Sequence, residues 1–406
     1  MDSARGGTVR TMQLARKSAQ LHAVEPVAIA EADAHPAAPL MKVRYSYLRE
    51  QFADPTAIFD EMRKLVASGD FTLGKPVAEF EQRFAAMIGV KHAIGVASGT
   101  DSLKLALKAA NVGQGDEVIT AANTFVSSVG AINEIGAIPV LVDADDSFCL
   151  APDRLEAAIT PRTRAIMPVH LTGNTCDMPA VMAIADRHEL AVVEDACQAI
   201  LAEFGGKRAG TWGVAAGFSL HPLKNLNIWG DGGVVVTNDD AVAEHLKLLR
   251  NHGLKDRDTV EILGYNSRLD SLQAIVANWL IRSVDEITSR RIENAAFYDR
   301  HFSQIPQIRI PPRRAASKSV YHLYMVFAED RDALVQHCLD QGIGAKIHYP
   351  IPLYQQNGLR HLGYEPGSFP ITDQHAKTVI SFPVDQHITS AERALVVETV
   401  RAFYRS

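Results

Sequence analysis

The chain is predicted to be an α/β protein, with a mostly parallel seven-stranded sheet in a large domain and a smaller α+β domain after it. Three observations carry this. From about residue 90, short apolar runs alternate with helical patterns, as expected when a parallel sheet is covered on both faces. Beyond about residue 240 the texture shifts to longer helices, followed by the proline-rich segment RIPPRR at 309–314. And 406 residues are too many for one compact core.

The predicted strands, in order, are HAIGVA (92–97), EVITA (117–121), IPVLVD (138–143), AIMPVH (165–170), AVVED (191–195), AAGFSL (215–220) and GGVVVTN (232–238). Each is short, apolar and largely free of charge, which suits a strand buried on both faces. The patterns SLKLALKAANV, FVSSVGAINEIG, LEAAI and MPAVMAIADRHEL supply helices between them. Between the last two strands lie only residues 221–231, without helical periodicity. That is short for a crossover, so the final strand is expected to run antiparallel to its neighbour. LDSLQAIVANWLIRSVDEITSRRIENAAFYDRHF then reads as long helix, and YHLYMVFAEDRDALVQHCLDQGIGAKIHYP as strand, helix, strand. The expected division is a tail over 1–40, a large domain over 41–285 and a small domain over 286–406. Residues 1–40 carry Arg5, Arg10, Arg16 and Lys17 and read as a disordered tail or an overlong reading frame, because the well-patterned MKVRYSYL opens at Met41. A transit peptide is the alternative.

With 47 acidic and 41 basic side chains the net charge is −6, which argues against a nucleic-acid binder. No apolar run approaches the roughly eighteen residues of a membrane span. Cys149, Cys176, Cys197 and Cys338 form no C-x-x-C pair, which fits buried thiols in a reducing cytoplasm. No metal site is expected: His188-Glu189 is followed by Val192 where a zinc protease helix would need histidine.

Three stretches point to chemistry. In ASGTDSLKLALKAA a strand ends at Ser98-Gly99-Thr100 and a helix starts at once, which makes an anion site or an ordinary cap. In VVEDACQA a buried strand ends in Glu194-Asp195, at the sheet edge where ligands bind in open α/β folds. In SLHPLKNLNIWGDGGVVVT, Lys224 sits in a turn between two strands that both read as buried. Lysine seldom goes inside unpaired, so this one either snorkels to the surface or serves as a reactive amine. An amine, a carboxylate and an anion nest at one sheet edge are the groups that pyridoxal phosphate requires.

These residues resemble the DegT/DnrJ/EryC1/StrS aminotransferases, which have the fold-type-I architecture of pyridoxal-phosphate enzymes. The resemblance runs from about Val43 to the C-terminus, through SGTDSL, GDEVITAANTF, VVEDACQA, the lysine stretch, GYNSRLDSLQA and IHYPIP. It implies that Lys224 is the Schiff-base lysine and proton carrier, that Asp195 pairs with the pyridine nitrogen, and that Gln198 meets the phenolic oxygen. Phe125 would cover the ring, and Gly99, Thr100, Asp101 and Ser219 would hold the phosphate. Asn266 would reach the site of a second copy, which implies a homodimer with shared active sites. Arg268, His322 and His348 are substrate-contact candidates, while the loop RNHGLKDRD (250–258) either meets substrate phosphates or is simply solvated. Leu223 and Cys197 depart from the family's usual residues; Cys197 reads as a small buried hydrophobe. The implied reaction moves an amino group from L-glutamate to a keto sugar, nucleotide-linked and aminated at C3. A sugar phosphate such as 3-oxo-glucose 6-phosphate is the alternative substrate, and a non-catalytic cofactor-binding regulator the alternative class.

Overall fold

A computed structural model describes residues Met41–Arg405; the tail expected over 1–40 lies outside the described residues. All seven predicted strands form and join one sheet. Their order in space is His92–Val96, Gly233–Thr237, Ala215–Ser219, Ala191–Asp195, Thr163–Met167, Glu117–Ala121 and Ile138–Val142. Six point the same way, and Gly233–Thr237 runs antiparallel to both of its neighbours, as the short connection required. The fourth strand ends at Met167, three residues short of expectation. Pro168 has no N–H to donate, and pairing survives beyond it only as a single bridge between Val169 and Asp195.

Small residues let the helices lie close on this sheet. A Cβ at Gly217 would stand 2.6 Å from Ser102 Oγ and 2.8 Å from Leu103 Cδ2, so the helix Gly99–Ala109 rests almost on the backbone of Ala215–Ser219. Gly233 does the same at the helix mouth, where a Cβ would fall 2.2 Å from the Ser98 carbonyl oxygen. The strand ends and the start of that helix are thereby brought to one place.

The long helical stretch after residue 270 is broken into Ser271–Leu280, one 3-10 turn over Ile281–Ser283, and Val284–Phe302. The last of these spans two cores. Val284 and Ile287 pack with the large sheet's cluster, while Ala295, Tyr298 and Phe302 pack with Tyr324, Val326 and Phe382. The second core covers a three-stranded antiparallel sheet of Ile308–Arg309, Tyr324–Ala328 and Val379–Phe382, with Tyr324–Ala328 in the middle. The predicted strand Tyr324–Ala328 and helix Arg331–Asp340 are present, but the expected second strand near residues 345–350 is not. That segment pairs through single bridges, Val43–Ile343 and Lys346–Ser381, and then leaves the sheet at His348-Tyr349-Pro350. Pro350 and Pro352 cannot donate to a ladder, so Val379–Phe382 takes the edge instead.

Candidate active site

The chain ends gathered at the sheet edge enclose a cavity of about 370 Å³. One wall is the start of the helix Gly99–Ala109. Ser98 caps it, its hydroxyl accepting from the Asp101 N–H at 3.0 Å. The preceding donors, the N–H groups of Gly99 and Thr100, lie before the first intrahelical bond, so they remain for an anion. Gly99 is required there: a Cβ would stand 2.6 Å from Ser219 Cβ and 2.9 Å from its hydroxyl. Ser219, at the end of its strand, is thus pressed against the helix mouth. Thr100 Oγ1 donates to Ser127 Oγ at 3.0 Å.

The floor is Asp195, whose carboxylate is buried. Its Oδ2 accepts from Ser128 Oγ at 2.6 Å and its Oδ1 from the Cys197 N–H at 3.1 Å. Ser128 in turn shares a 2.7 Å hydrogen bond with Thr124, which lies just before the helix Val126–Glu134 and its cap Phe125. Beneath it lies a second acid. Glu194, fully buried, accepts from His170 Nε2 at 2.9 Å, from the N–H of Gly210 at 2.8 Å, of Trp212 at 2.7 Å and of Gly213 at 3.0 Å. Burial by itself would raise its pKa, but the His170 hydrogen bond and these N–H groups bring it below the ordinary carboxylate value. His170 Nδ1 accepts from the Cys176 N–H at 3.2 Å, so the ring proton sits on Nε2, facing Glu194.

Lys224 faces the same cavity from a turn closed by its N–H on the His221 carbonyl (2.8 Å) and by Asn227 Nδ2 on its own carbonyl (2.9 Å). Desolvation lowers the pKa of its amine, against the pull of Cys197 and Asp195, which raise it. The Lys224 side chain turns inward from between the buried strands and shares one space with a carboxylate and a helix mouth. Gln198 lines the cavity with its Oε1 fixed by the Thr172 N–H at 2.7 Å. Phe125, 47% exposed, stands at the rim with its ring 5.7 Å from that of Tyr349.

His322 and His348 both line the cavity. Burial, then Lys224 and Arg291, hold the pKa of His322 well below its usual value, and among the described residues its Nδ1 has no hydrogen-bond partner. His348 shares a 2.8 Å hydrogen bond with Ser381 Oγ, and burial brings its pKa to about 4.

Three expected residues are not brought to this cavity by their own chain. The Asp101 carboxylate accepts from Ser267 Oγ at 2.8 Å and pairs with Lys104 at 2.5 Å. Arg268 donates to Asn251 Oδ1 at 3.1 Å, and Asn266 is exposed. Of the loop 250–258, Arg250 turns inward to Glu81 and the Gly95 carbonyl, while Lys255, Arg257 and Asp258 are exposed and are not among the residues lining the cavity. Sequence reasoning missed Ser128, His170, Arg291 and Tyr349, all of which line it. None of the four stood out locally, and even the Thr124–Ser128 pair joins a residue before the helix cap to one inside the helix Val126–Glu134.

The model of the DegT/DnrJ/EryC1/StrS aminotransferase family matches residues 54–401. This chain belongs to that family. It is 42% identical to the erythromycin biosynthesis sensory transduction protein EryC1 of Saccharopolyspora erythraea, covering 84% of this chain and 93% of that protein. It is 39% identical to a dTDP-3-amino-3,4,6-trideoxy-alpha-D-glucose transaminase of Streptomyces venezuelae, covering 89% and 98%. Among solved structures, S. venezuelae DesV in complex with a ketimine intermediate superposes with a TM-score of 0.87 at 38% identity, covering 90% of this chain and 99% of that one. The protein is accordingly a sugar aminotransferase with the fold of the pyridoxal-phosphate enzymes.

Proposed function

We propose that the protein transfers the amino group of L-glutamate to C3 of a nucleotide-linked 3-keto sugar, with pyridoxal phosphate as cofactor. The observation that carries this is Lys224: a desolvated amine sharing one cavity with the Asp195 carboxylate and the open N–H groups of Gly99 and Thr100. Support for the sugar class comes from relatives named as transaminases of dTDP-3-amino sugars and as a UDP-N-acetyl-3-dehydro-glucosamine aminotransferase.

The residues fit the cofactor. The helix mouth, with the Ser219 hydroxyl against it, suits a phosphate dianion, and the two neighbouring N–H groups supply the hydrogen bonds. Asp195, with hydrogen bonds to both oxygens, stays an acceptor and suits a protonated pyridine nitrogen. Gln198 has its oxygen occupied, so its amide N–H₂ is the group left for the phenolic oxygen. Phe125 would cover the ring face. Bound in this way, the cofactor supplies a carbonyl carbon for the amine and an electron sink for the carbanion.

Lys224 does the proton work. Desolvation lowers the pKa of its amine and so favours the neutral form, the form that can take the proton from the substrate's Cα. Asp195 would face the pyridine nitrogen of the bound cofactor, and at Lys224 its charge raises the pKa of the amine, against the effect of desolvation. His322 and His348 stay neutral, so each ring can meet a sugar hydroxyl as donor or acceptor. In a homodimer, the exposed Asn266 and the neighbouring Leu263, 92% exposed, would be covered by the second copy, and Asn266 would complete the phosphate site there.

The test has two stages. L-Glutamate added to the holoenzyme should remove its visible absorbance and release one equivalent of 2-oxoglutarate per site. The product form is then offered 3-keto and 4-keto nucleotide sugars and 3-oxo-glucose 6-phosphate, with mass spectrometry recording which gains nitrogen. Amination of the 3-keto nucleotide sugar is expected. No response to any amino acid would favour a regulator, and nitrogen appearing only on the sugar phosphate would overturn the substrate class.

A further inference from the structure

Four buried polar side chains beside the cavity play no part in the chemistry above: Gln51, Asn227, Gln386 and Arg291. A buried amide needs partners for both its oxygen and its nitrogen, so its orientation is decided by its neighbours. Here one neighbour settles all of them, because a guanidinium can only donate. Arg291 Nε donates to Gln386 Oε1 at 3.0 Å. The Gln386 amide nitrogen therefore points away from Arg291, and it donates to Gln51 Oε1. Gln51 Nε2 then donates to Asn227 Oδ1 at 2.8 Å, and Asn227 Nδ2 to the carbonyl of Lys224 at 2.9 Å. At the other end, Arg291 Nη1 donates to the carbonyls of Tyr321 (3.1 Å) and His322 (3.3 Å), with Asp385 3.6 Å from Nη2.

The result is a chain of hydrogen bonds that runs outward from Arg291, on one side to the His322 carbonyl and on the other, always donor to acceptor, through Gln386, Gln51 and Asn227 to the Lys224 carbonyl. It holds no hydroxyl or imidazole that could exchange donor and acceptor roles. Gln51 is its middle link and comes from neither side. It sits in the short helix Leu48–Gln51, 176 residues from Asn227 and 335 from Gln386. We propose that Gln51 is a positioning residue for the proton transfer by Lys224: it locks the turn carrying the amine to the segment carrying His322, through Asn227, Gln386 and Arg291. The proposal rests on reading Lys224 as the base.

Gln51→Met keeps nearly the same length and removes both hydrogen bonds. Misplacing a reacting group by about 1 Å can lower a rate by up to about a hundredfold. For Gln51→Met we therefore expect kcat to fall at least about tenfold, with KM for L-glutamate within about twofold of the parent. In the cofactor-free protein, amide hydrogen exchange over 221–228 should speed up while that of the helix Gly99–Ala109 stays unchanged. Gln51→Met combined with Gln386→Met should be no worse than either alone, because either change already breaks the chain. Gln386→Met, on the other side of the same bond, takes the place of Gln51→Met if that variant fails to fold. Parental kcat with unaltered exchange, or losses that simply add, would overturn the proposal. Lys224→Ala distinguishes the two readings: if it still turns over, the role of Lys224 as base falls, whatever the exchange data show.

Discussion

Gly99→Ala is the smallest change that bears on the phosphate site, and its effect can be worked out from contacts. The added Cβ would stand 2.6 Å from Ser219 Cβ and 3.2 Å from Ser219 Cα. Carbon atoms in contact sit about 3.5–4.0 Å apart, so the helix mouth and the strand end must separate by about 1 Å. Ser219 cannot give way by rotating, because the clash is with its Cβ and backbone. Overpacking of this kind is worth about 1–3 kcal/mol of stability. A hydrogen bond tolerates only about 2.7–3.2 Å, so the same displacement removes one of the charge-assisted bonds to the phosphate, about 1.5–3 kcal/mol. That converts to about 10- to 150-fold in cofactor Kd. The assays are absorbance titration with pyridoxal phosphate and urea unfolding of the cofactor-free protein. Gly99→Ala/Ser219→Gly removes the closest contact and leaves only the 3.2 Å approach to Cα, so it should recover part of the unfolding midpoint, though not the lost hydroxyl. A Gly99→Ala protein with parental Kd and midpoint would refute the claim that this glycine sets the spacing.

Three further outcomes are expected. Asp195 raises the pKa of Lys224, so Asp195→Asn should move the pH midpoint for acylation of Lys224 in the cofactor-free protein to lower pH, as read by mass spectrometry. Glu194→Ala leaves the His170 ring and three backbone N–H groups unpartnered in the core and should destabilise the fold by about 3–5 kcal/mol in urea. Because the folded pKa of Glu194 lies below its unfolded value, its contribution is complete above the unfolded pKa and disappears as pH falls through the folded one. In NMR titrations the His322 and His348 rings should show no protonation between about pH 5.5 and 8, since both pKa values are held below their usual range.

The sheet was legible because its strands are buried on both faces, so apolar runs such as AVVED and GGVVVTN stand out without any alternation to decode. The reversed direction of Gly233–Thr237 was legible from the length of one connection. Strand ends were harder: Pro168 stops one strand in the middle of an apolar run. The segment 345–350 has strand composition, yet its neighbours offer it only single bridges, a tertiary fact that no local pattern carries. At the site, Asp195 and Lys224 could be found because each lies at or just after the end of a strand, whereas Gln198 and Ser219 came only with the family resemblance. Gln51, Arg291 and Tyr349 could not, since helix and loop residues far apart in the chain meet there only through folding. Glu194 was seen in the sequence, but its partner His170, 24 residues earlier, was not.

The helix Val284–Phe302 belongs to two cores at once, anchored in one by Val284 and Ile287 and in the other by Ala295, Tyr298 and Phe302. A continuous rod shared in this way leaves no slack between the parts it joins. Any breathing of the substrate mouth must flex the rod in the two turns between those anchors or drag one set of buried side chains out of its packing. Movement of one core against the other therefore has to be absorbed within this single helix.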